Sequence, residues 1–122
     1  MEFQVLQLNL KASQQAHASI LLWDTDQWEH RAELIHHHLT VTQLEFSHND
    51  SMLLSVSRDR TFALYGCDSS SDAFDWRLLK ASSKTDGVHS RIIWTCSWSS
   101  DDRYFATGAR DKKVHHLVMT LR

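Results

Sequence analysis

The sequence has no proline, only three glycines and only two cysteines in 122 residues. Cys67 and Cys96 do not form a CxxC pair, so we expect reduced thiols rather than a disulfide framework. No run approaches the roughly 20 apolar residues that a membrane span needs, and a membrane is therefore not an expected partner. The formal net charge of −2 excludes nucleic-acid binding driven by the overall charge.

Motifs for small-molecule chemistry are also missing. The sequence contains no GxGxxG, P-loop, HExxH or GxSxG pattern. We therefore predict no cofactor, no metal and no small-molecule substrate.

The apolar residues, which make up 42% of the chain, come in short bursts rather than at helical spacing. Residues 20–23, 52–56 and 92–98 are such bursts. Turn-forming runs at 47–51 and 99–102 separate them. Short strands bounded by turns predict an all-β antiparallel fold.

The chain also repeats itself with a shift of 52 residues, which aligns Phe46 with Trp98 and Asp50 with Asp102. Trp23 and Asp24 form a WD dipeptide at the end of a predicted strand. A repeat of about 40 to 50 residues with four strands is typical of a β-propeller blade. We predict an incomplete β-propeller: two nearly complete four-stranded WD-repeat blades and part of a third. The predicted boundaries are 1–24 for an atypical N-terminus and the end of a preceding blade, 25–67 for one blade, and 68–122 for a second, incomplete blade. With so few blades, we expect apolar blade faces to be exposed.

Both repeats contain one histidine, one hydroxyl residue and one aspartate at matching positions, namely His37, Ser55 and Asp59, then His89, Thr107 and Asp111. In type they resemble a catalytic triad. We favour a buried structural network, because an active site is rarely built twice in one chain. Tyr65 and Leu117 stand where such a repeat usually has tryptophan.

Two histidine runs, residues 36–38 and 115–116, suggest a metal site at first sight. Consecutive strand residues point to opposite faces, so such runs do not gather imidazoles around one ion. We therefore predict that neither run binds a metal.

Basic residues surround the two aspartates, and they form a predicted partner-binding basic patch: Arg58, Arg60, Arg91, Arg110 and Lys112. Guanidinium groups suit carboxylates and phosphates. The alternative is that these cations only pair with Asp59 and Asp111. We expect Trp23, Trp94 and Trp98 to lie in the core rather than to stack on bases, because they sit inside strand runs.

Segments 39–47, 57–61, 88–94 and 110–114 resemble the WD-repeat second subunits of the Elongator complex, within their second propeller. The resemblance extends over residues 11–114. His48 and Ser100 replace the usual proline of that family, and the chain resembles only a piece of its members.

This resemblance implies a non-catalytic scaffold segment that supports tRNA wobble-uridine modification through protein–protein contacts. Its implied partners are the other Elongator subunits, including the catalytic one, with at most a weak or indirect tRNA contact. The cofactors of that reaction belong to the catalytic subunit, so none is expected here. The implied localisation is cytoplasmic with a nuclear fraction. The alternatives are a generic WD-repeat adaptor that binds acidic or phosphorylated peptides through the arginine-rich face, and an enzyme built on the histidine, hydroxyl and aspartate groups.

Overall fold

A computed structural model describes residues 3–10, 18–24, 28–67, 76–82, 89–112 and 114–118. These residues form ten strands and no helix: β1 (Phe3–Leu10), β2 (Ala18–Asp24), β3 (Glu29–Ile35), β4 (Val41–Phe46), β5 (Met52–Ser57), β6 (Phe62–Cys67), β7 (Trp76–Ala81), β8 (Ile93–Trp98), β9 (Tyr104–Ala109) and β10 (Val114–Val118). The all-β prediction is confirmed. Within the described ranges, the structure contains no helix that could cross a membrane.

The strands form three antiparallel sheets. The N-terminal sheet contains β1, β2 and β3, the central sheet contains β4 to β7, and the C-terminal sheet contains β8, β9 and β10. The repeat predicted at 25–67 spans two of these sheets, because β3 pairs with β2 whereas β4 pairs with β5. In the same way β7, from the repeat predicted at 68–122, pairs with β6 of the central sheet.

Two apolar cores hold the sheets together. The first lies between the N-terminal and central sheets and includes Ile20, Leu22 and Leu53. The second lies between the central and C-terminal sheets and includes Leu54 and Phe105. Because successive strand residues point to opposite faces, β5 supplies both cores, and all six of its residues are buried.

Besides Trp28 in the turn before β3, four non-glycine residues lie in the left-handed region, each in its own hairpin turn. Asp50 and Asp102 have φ of 61° and 60°, and Arg60 and Lys112 have φ of 72° and 66°. In each turn the backbone N–H of this residue donates to the carbonyl three positions earlier. A tight turn followed by a left-handed residue is a common way to join two antiparallel strands.

The inner strands β4 and β8 lie side by side in the same direction. The Cys96 N–H donates to Oε1 of Gln43 at 2.9 Å, and Nε1 of Trp98 donates to the Glu45 carbonyl at 3.1 Å. Equivalent ends of the central and C-terminal sheets therefore lie next to each other. The turn at 58–60 lies at the same end of the molecule as the turn at 110–112.

Candidate functional site

The central sheet contains a buried polar network around His37, which lies between β3 and β4. Its Nε2 is 2.7 Å from Oγ of Ser55 on β5, and its Nδ1 is 3.0 Å from Oδ2 of Asp59. The same carboxylate accepts the backbone N–H groups of His38, at 3.0 Å, and Thr61, at 2.9 Å. Since a carboxylate can only accept, this pattern places a hydrogen on Nδ1 of His37.

The environment of Asp59 stabilises its charged form. Burial alone would raise the pKa of this carboxyl group. The hydrogen bond and the charge of His37, with further hydrogen bonds from Thr61 and His38, outweigh burial and hold the pKa well below its usual range. Asp59 is therefore ionised at neutral pH, although it is only 2% exposed.

The C-terminal sheet repeats this arrangement. Nε2 of His89 is 2.8 Å from Oγ1 of Thr107, and its Nδ1 is 3.0 Å from Oδ2 of Asp111. The backbone N–H of Ser90 donates to the same Asp111 oxygen at 3.1 Å. The structure thus brings together each of the two trios that the sequence repeat pairs.

Burial decides what these groups can do chemically. Ser55 is 0% exposed and Thr107 is 1% exposed, so neither hydroxyl can meet a substrate in this conformation. Each network instead links the segment before one strand to the turn after the next strand. His37 precedes β4 and Asp59 follows β5, and in the same way His89 precedes β8 and Asp111 follows β9. The hydroxyl of Tyr65, which stands where such a repeat usually has tryptophan, has no hydrogen-bond partner among the described residues, and burial raises its pKa. The side chain of Leu117 lies outside the described part of the structure.

The side chains of the first histidine run, residues 36–38, have different surroundings. His37 is committed to Ser55 and Asp59, whereas burial lowers the pKa of His36, with the neighbouring His37 adding to the effect. The described residues include no cluster of three or more metal-ligating side chains. The side chains of His115 and His116 lie outside those residues.

All five members of the predicted basic patch are exposed. Arg58 and Arg60 flank the turn after β5, and Arg110 and Lys112 flank the equivalent turn after β9. None of these five cations forms an ion pair within the described ranges. The Asp59 carboxylate between Arg58 and Arg60 turns inward to the histidine network, which leaves both guanidinium groups to solvent.

One expectation about the tryptophans is wrong. Trp94 is 49% exposed, although its strand is rich in buried residues. The register of β8 shifts between Ile93 and Thr95, so the Trp94 side chain lies on the face away from the central sheet. Trp98, by contrast, is buried and donates its indole hydrogen to the neighbouring strand.

The structure also reveals a contact between sheets that sequence reasoning missed. Asp102 accepts the backbone N–H groups of His48, at 2.9 Å, and Asn49, at 3.0 Å, and its Oδ1 is 2.8 Å from Nδ1 of His48. Burial would raise the pKa of Asp102, but these hydrogen bonds lower it. No sequence signal marks this contact, because Asp50 occupies the equivalent turn position and makes no such hydrogen bond among the described residues.

The succession of antiparallel sheets with equivalent turns and polar networks agrees with a comparison against known families. Residues 28–65 and 81–116 match the family described as WD domain, G-beta repeat. The chain belongs to this WD-repeat family. Its three stacked sheets are those of an incomplete β-propeller, as predicted. The paired histidine networks are then equivalent parts of successive WD repeats.

The chain is also similar to longer WD-repeat proteins. It is 52% identical to Elongator complex protein 2 of Mus musculus over 107 residues, 46% identical to that of Drosophila melanogaster over 104 residues, and 39% identical to that of Schizosaccharomyces pombe over 106 residues. Each alignment covers 85% of this chain but only 13% of the relative. The resemblance seen in the sequence motifs is therefore confirmed over a small part of these relatives.

Proposed function

We propose that this WD-repeat chain is a non-catalytic scaffold segment of an Elongator complex and supports tRNA wobble-uridine modification through protein–protein contacts. The observation that carries this proposal is the identity of 39% to 52% to Elongator complex protein 2 over 85% of the chain. The proposed partners are the other Elongator subunits, including the catalytic one. Any contact with tRNA through the scaffold itself is weak or indirect.

The geometry of the polar networks supports a scaffold rather than an enzyme. In a working triad, the hydroxyl faces a space where a substrate atom can sit. Here His37 binds Ser55 and Asp59 inside the stacked sheets, and all three side chains are buried. The same arrangement around His89 supports one architectural role, fixing the strand connections of each repeat.

Co-purification tests the proposed scaffold role. A tagged form of the chain is expressed in cells, and the Elongator catalytic subunit is measured in the captured fraction. We expect capture by the wild type and a strong loss for Leu54→Asp, because Leu54 is 0% exposed and belongs to the core that joins two sheets. Asp50→Asn, at an exposed turn, serves as the matched control and should retain the partner. Failure of the wild type to capture any Elongator subunit would contradict the proposal.

We also propose that the chain acts in the cytoplasm, with a fraction in the nucleus, as this assignment would require. Imaging of the tagged chain beside the catalytic subunit tests this directly. Exclusion of the chain from both compartments that contain the catalytic subunit would contradict it.

A second candidate function is an adaptor that binds acidic or phosphorylated peptides. The observation that favours it is the absence of ion pairs at Arg58, Arg60, Arg91 and Arg110 within the described residues. Titration with a phosphopeptide and with its unphosphorylated form tests this function. The adaptor function requires tighter binding of the phosphorylated form and its loss in Arg58→Glu and Arg110→Glu variants.

A further inference from the structure

The basic patch lies at one end of two neighbouring repeats. The Arg58 N–H donates to the Thr40 carbonyl, and the Arg110 N–H donates to the Ile92 carbonyl, both at 2.9 Å. These equivalent bonds hold the two turns in equivalent positions. Since β4 and β8 run in the same direction, two pairs of exposed cations, Arg58 with Arg60 and Arg110 with Lys112, recur side by side.

An exposed aromatic ring lies at the same end. Trp94 is two residues after Ile92, whose carbonyl accepts the Arg110 N–H, and it follows Ile93, which pairs with Ala109. Arg91 precedes the same segment by one residue and is also exposed. Trp94 thus lies at the same end of the C-terminal sheet as Arg91 and Arg110, and its side chain is exposed.

Cations with a neighbouring exposed indole favour one class of ligand. Single-stranded nucleic acids are bound by basic grooves that follow the phosphates and by aromatic side chains on which unpaired bases stack. An acidic peptide needs the cations but has no use for the aromatic face, and a duplex has no free base to stack. We propose that this end of the chain binds single-stranded nucleic acid, with phosphates on the basic patch and one base on Trp94. This activity goes beyond the scaffold role and does not depend on it.

Two paired cations in each repeat suit a ligand whose negative charge also repeats. The phosphates of a polynucleotide follow one another along the strand, so several can contact the five cations of the patch at once. The exposed large aromatic residues Trp28 and Tyr104 lie in or beside other turns, at 28 and 104, and are not part of this surface.

Fluorescence anisotropy with labelled oligonucleotides of about 12 nucleotides tests the proposal. Uridine and deoxythymidine oligomers are titrated separately with the purified chain at several salt concentrations, and these two arms distinguish RNA from DNA. We expect binding that weakens steeply with salt. Replacing Arg110 by Gln should reduce the salt slope by about one, because one phosphate contact is lost.

The tryptophan makes a separate prediction. Trp94→Ala should weaken binding about tenfold without changing the salt slope, and Trp94→Phe should restore most of the affinity, because both effects come from stacking. Arg103→Gln and Tyr104→Ala are matched controls from the opposite end of the same sheet, and both should bind like the wild type. The unfolding transition of each variant is measured first, and the Phe variant remains informative if the Ala variant does not fold.

Three results would overturn the proposal. One is the absence of salt-dependent binding to either oligonucleotide. Another is binding of a polyglutamate peptide as tight as that of the oligonucleotides, with no effect of Trp94→Ala, which would assign the patch to acidic protein. The third is equal loss of affinity in Arg103→Gln and Arg110→Gln. None of these results depends on capture of Elongator subunits, so the two proposals can fail separately.

Discussion

The central and C-terminal sheets have similar sequences but different surroundings. Leu54 and Val56, on one face of the central sheet, are 0% exposed because the C-terminal sheet covers them. The positions 52 residues later hold Ala106 and Gly108, which are only partly buried, and the adjacent Tyr104 is 40% exposed. Among the described residues, no further sheet covers that face.

This difference separates the structural features that depend on one repeat alone from those that depend on the adjoining sheet. The hairpin turns and the histidine networks are nearly the same in both sheets, because they depend on contacts within one repeat. Burial of the outer face depends on the adjoining sheet. Variants at matched positions should therefore differ where the neighbour matters and agree where it does not.

The largest contrast is expected in the apolar core. Leu54→Ala should lower the free energy of unfolding by about 3 kcal/mol, because it removes buried methyl groups and leaves a cavity between two sheets. Tyr104→Ala, on the open face of the C-terminal sheet, should cost under about 1 kcal/mol. Urea unfolding of both variants checks the comparison. Similar losses would mean that the two faces are equally covered.

The next contrast concerns the polar networks and their dependence on pH. Asp59→Asn should cost about 2 kcal/mol at neutral pH, since it weakens the hydrogen bonds of a buried carboxylate. Asp111→Asn should cost less, because Asp111 is more exposed than Asp59. Urea unfolding at neutral pH measures both.

Asp59 also predicts the behaviour in acid. Its pKa in the folded chain is lower than its usual value of 3.8, so its stabilisation is complete above that pH and is lost as the pH falls through and below it. The wild type should therefore lose stability in this acidic range more steeply than Asp59→Asn. Parallel stability curves for the two proteins would exclude Asp59 as the source of acid sensitivity.

A smaller contrast is expected between two equivalent aspartates. Asp102→Ala should cost about 1 kcal/mol more than Asp50→Ala, because Asp102 accepts two N–H groups from the central sheet while Asp50 makes no side-chain hydrogen bond among the described residues. Both positions have nearly the same left-handed φ, so the backbone strain of alanine is matched. Thermal unfolding measures the difference. Equal losses would show that the contact between sheets contributes nothing.

The smallest effects should be equal in both sheets. Arg60→Gly and Lys112→Gly should each stabilise the chain by about 0.5 kcal/mol, because glycine adopts the left-handed conformation without a steric penalty. Chemical unfolding of the two single variants is the measurement. A gain at one turn only would show that the turns are less alike than their φ angles indicate.

Contacts within a repeat could be predicted from the sequence, since they recur at a fixed shift. Pairing His37 with His89 and Asp59 with Asp111 was enough to group the buried networks, and the short apolar runs between turns were enough to predict an all-β fold. The same shift of 52 residues predicts that the two trios occupy equivalent positions in their repeats. No contact between distant segments was needed for these predictions.

Contacts between repeats could not be predicted, because they depend on the register of one sheet against the next. The bond from Asp102 to the turn at 48–49 joins residues 53 and 54 positions apart, and no local pattern marks it. The exposure of Trp94 depends on a shift in strand register that the apolar run concealed. The burial of Asp59 was predicted from the sequence, but whether Arg58 and Arg60 pair with it was left open until the structure showed its carboxylate bound to His37 and His38.

The inward-facing aspartates have a consequence for how the molecule meets other molecules. A count of charges gives −2, but the carboxylates of Asp59 and Asp111 contribute little to the surface beside the exposed cations. Charge is thus distributed unevenly among the described residues, and the end that contains the basic patch should carry a local positive potential. Such a potential attracts and orients a charged partner during diffusion. Encounters with negatively charged partners should therefore begin preferentially at that end, at rates that fall as salt is added.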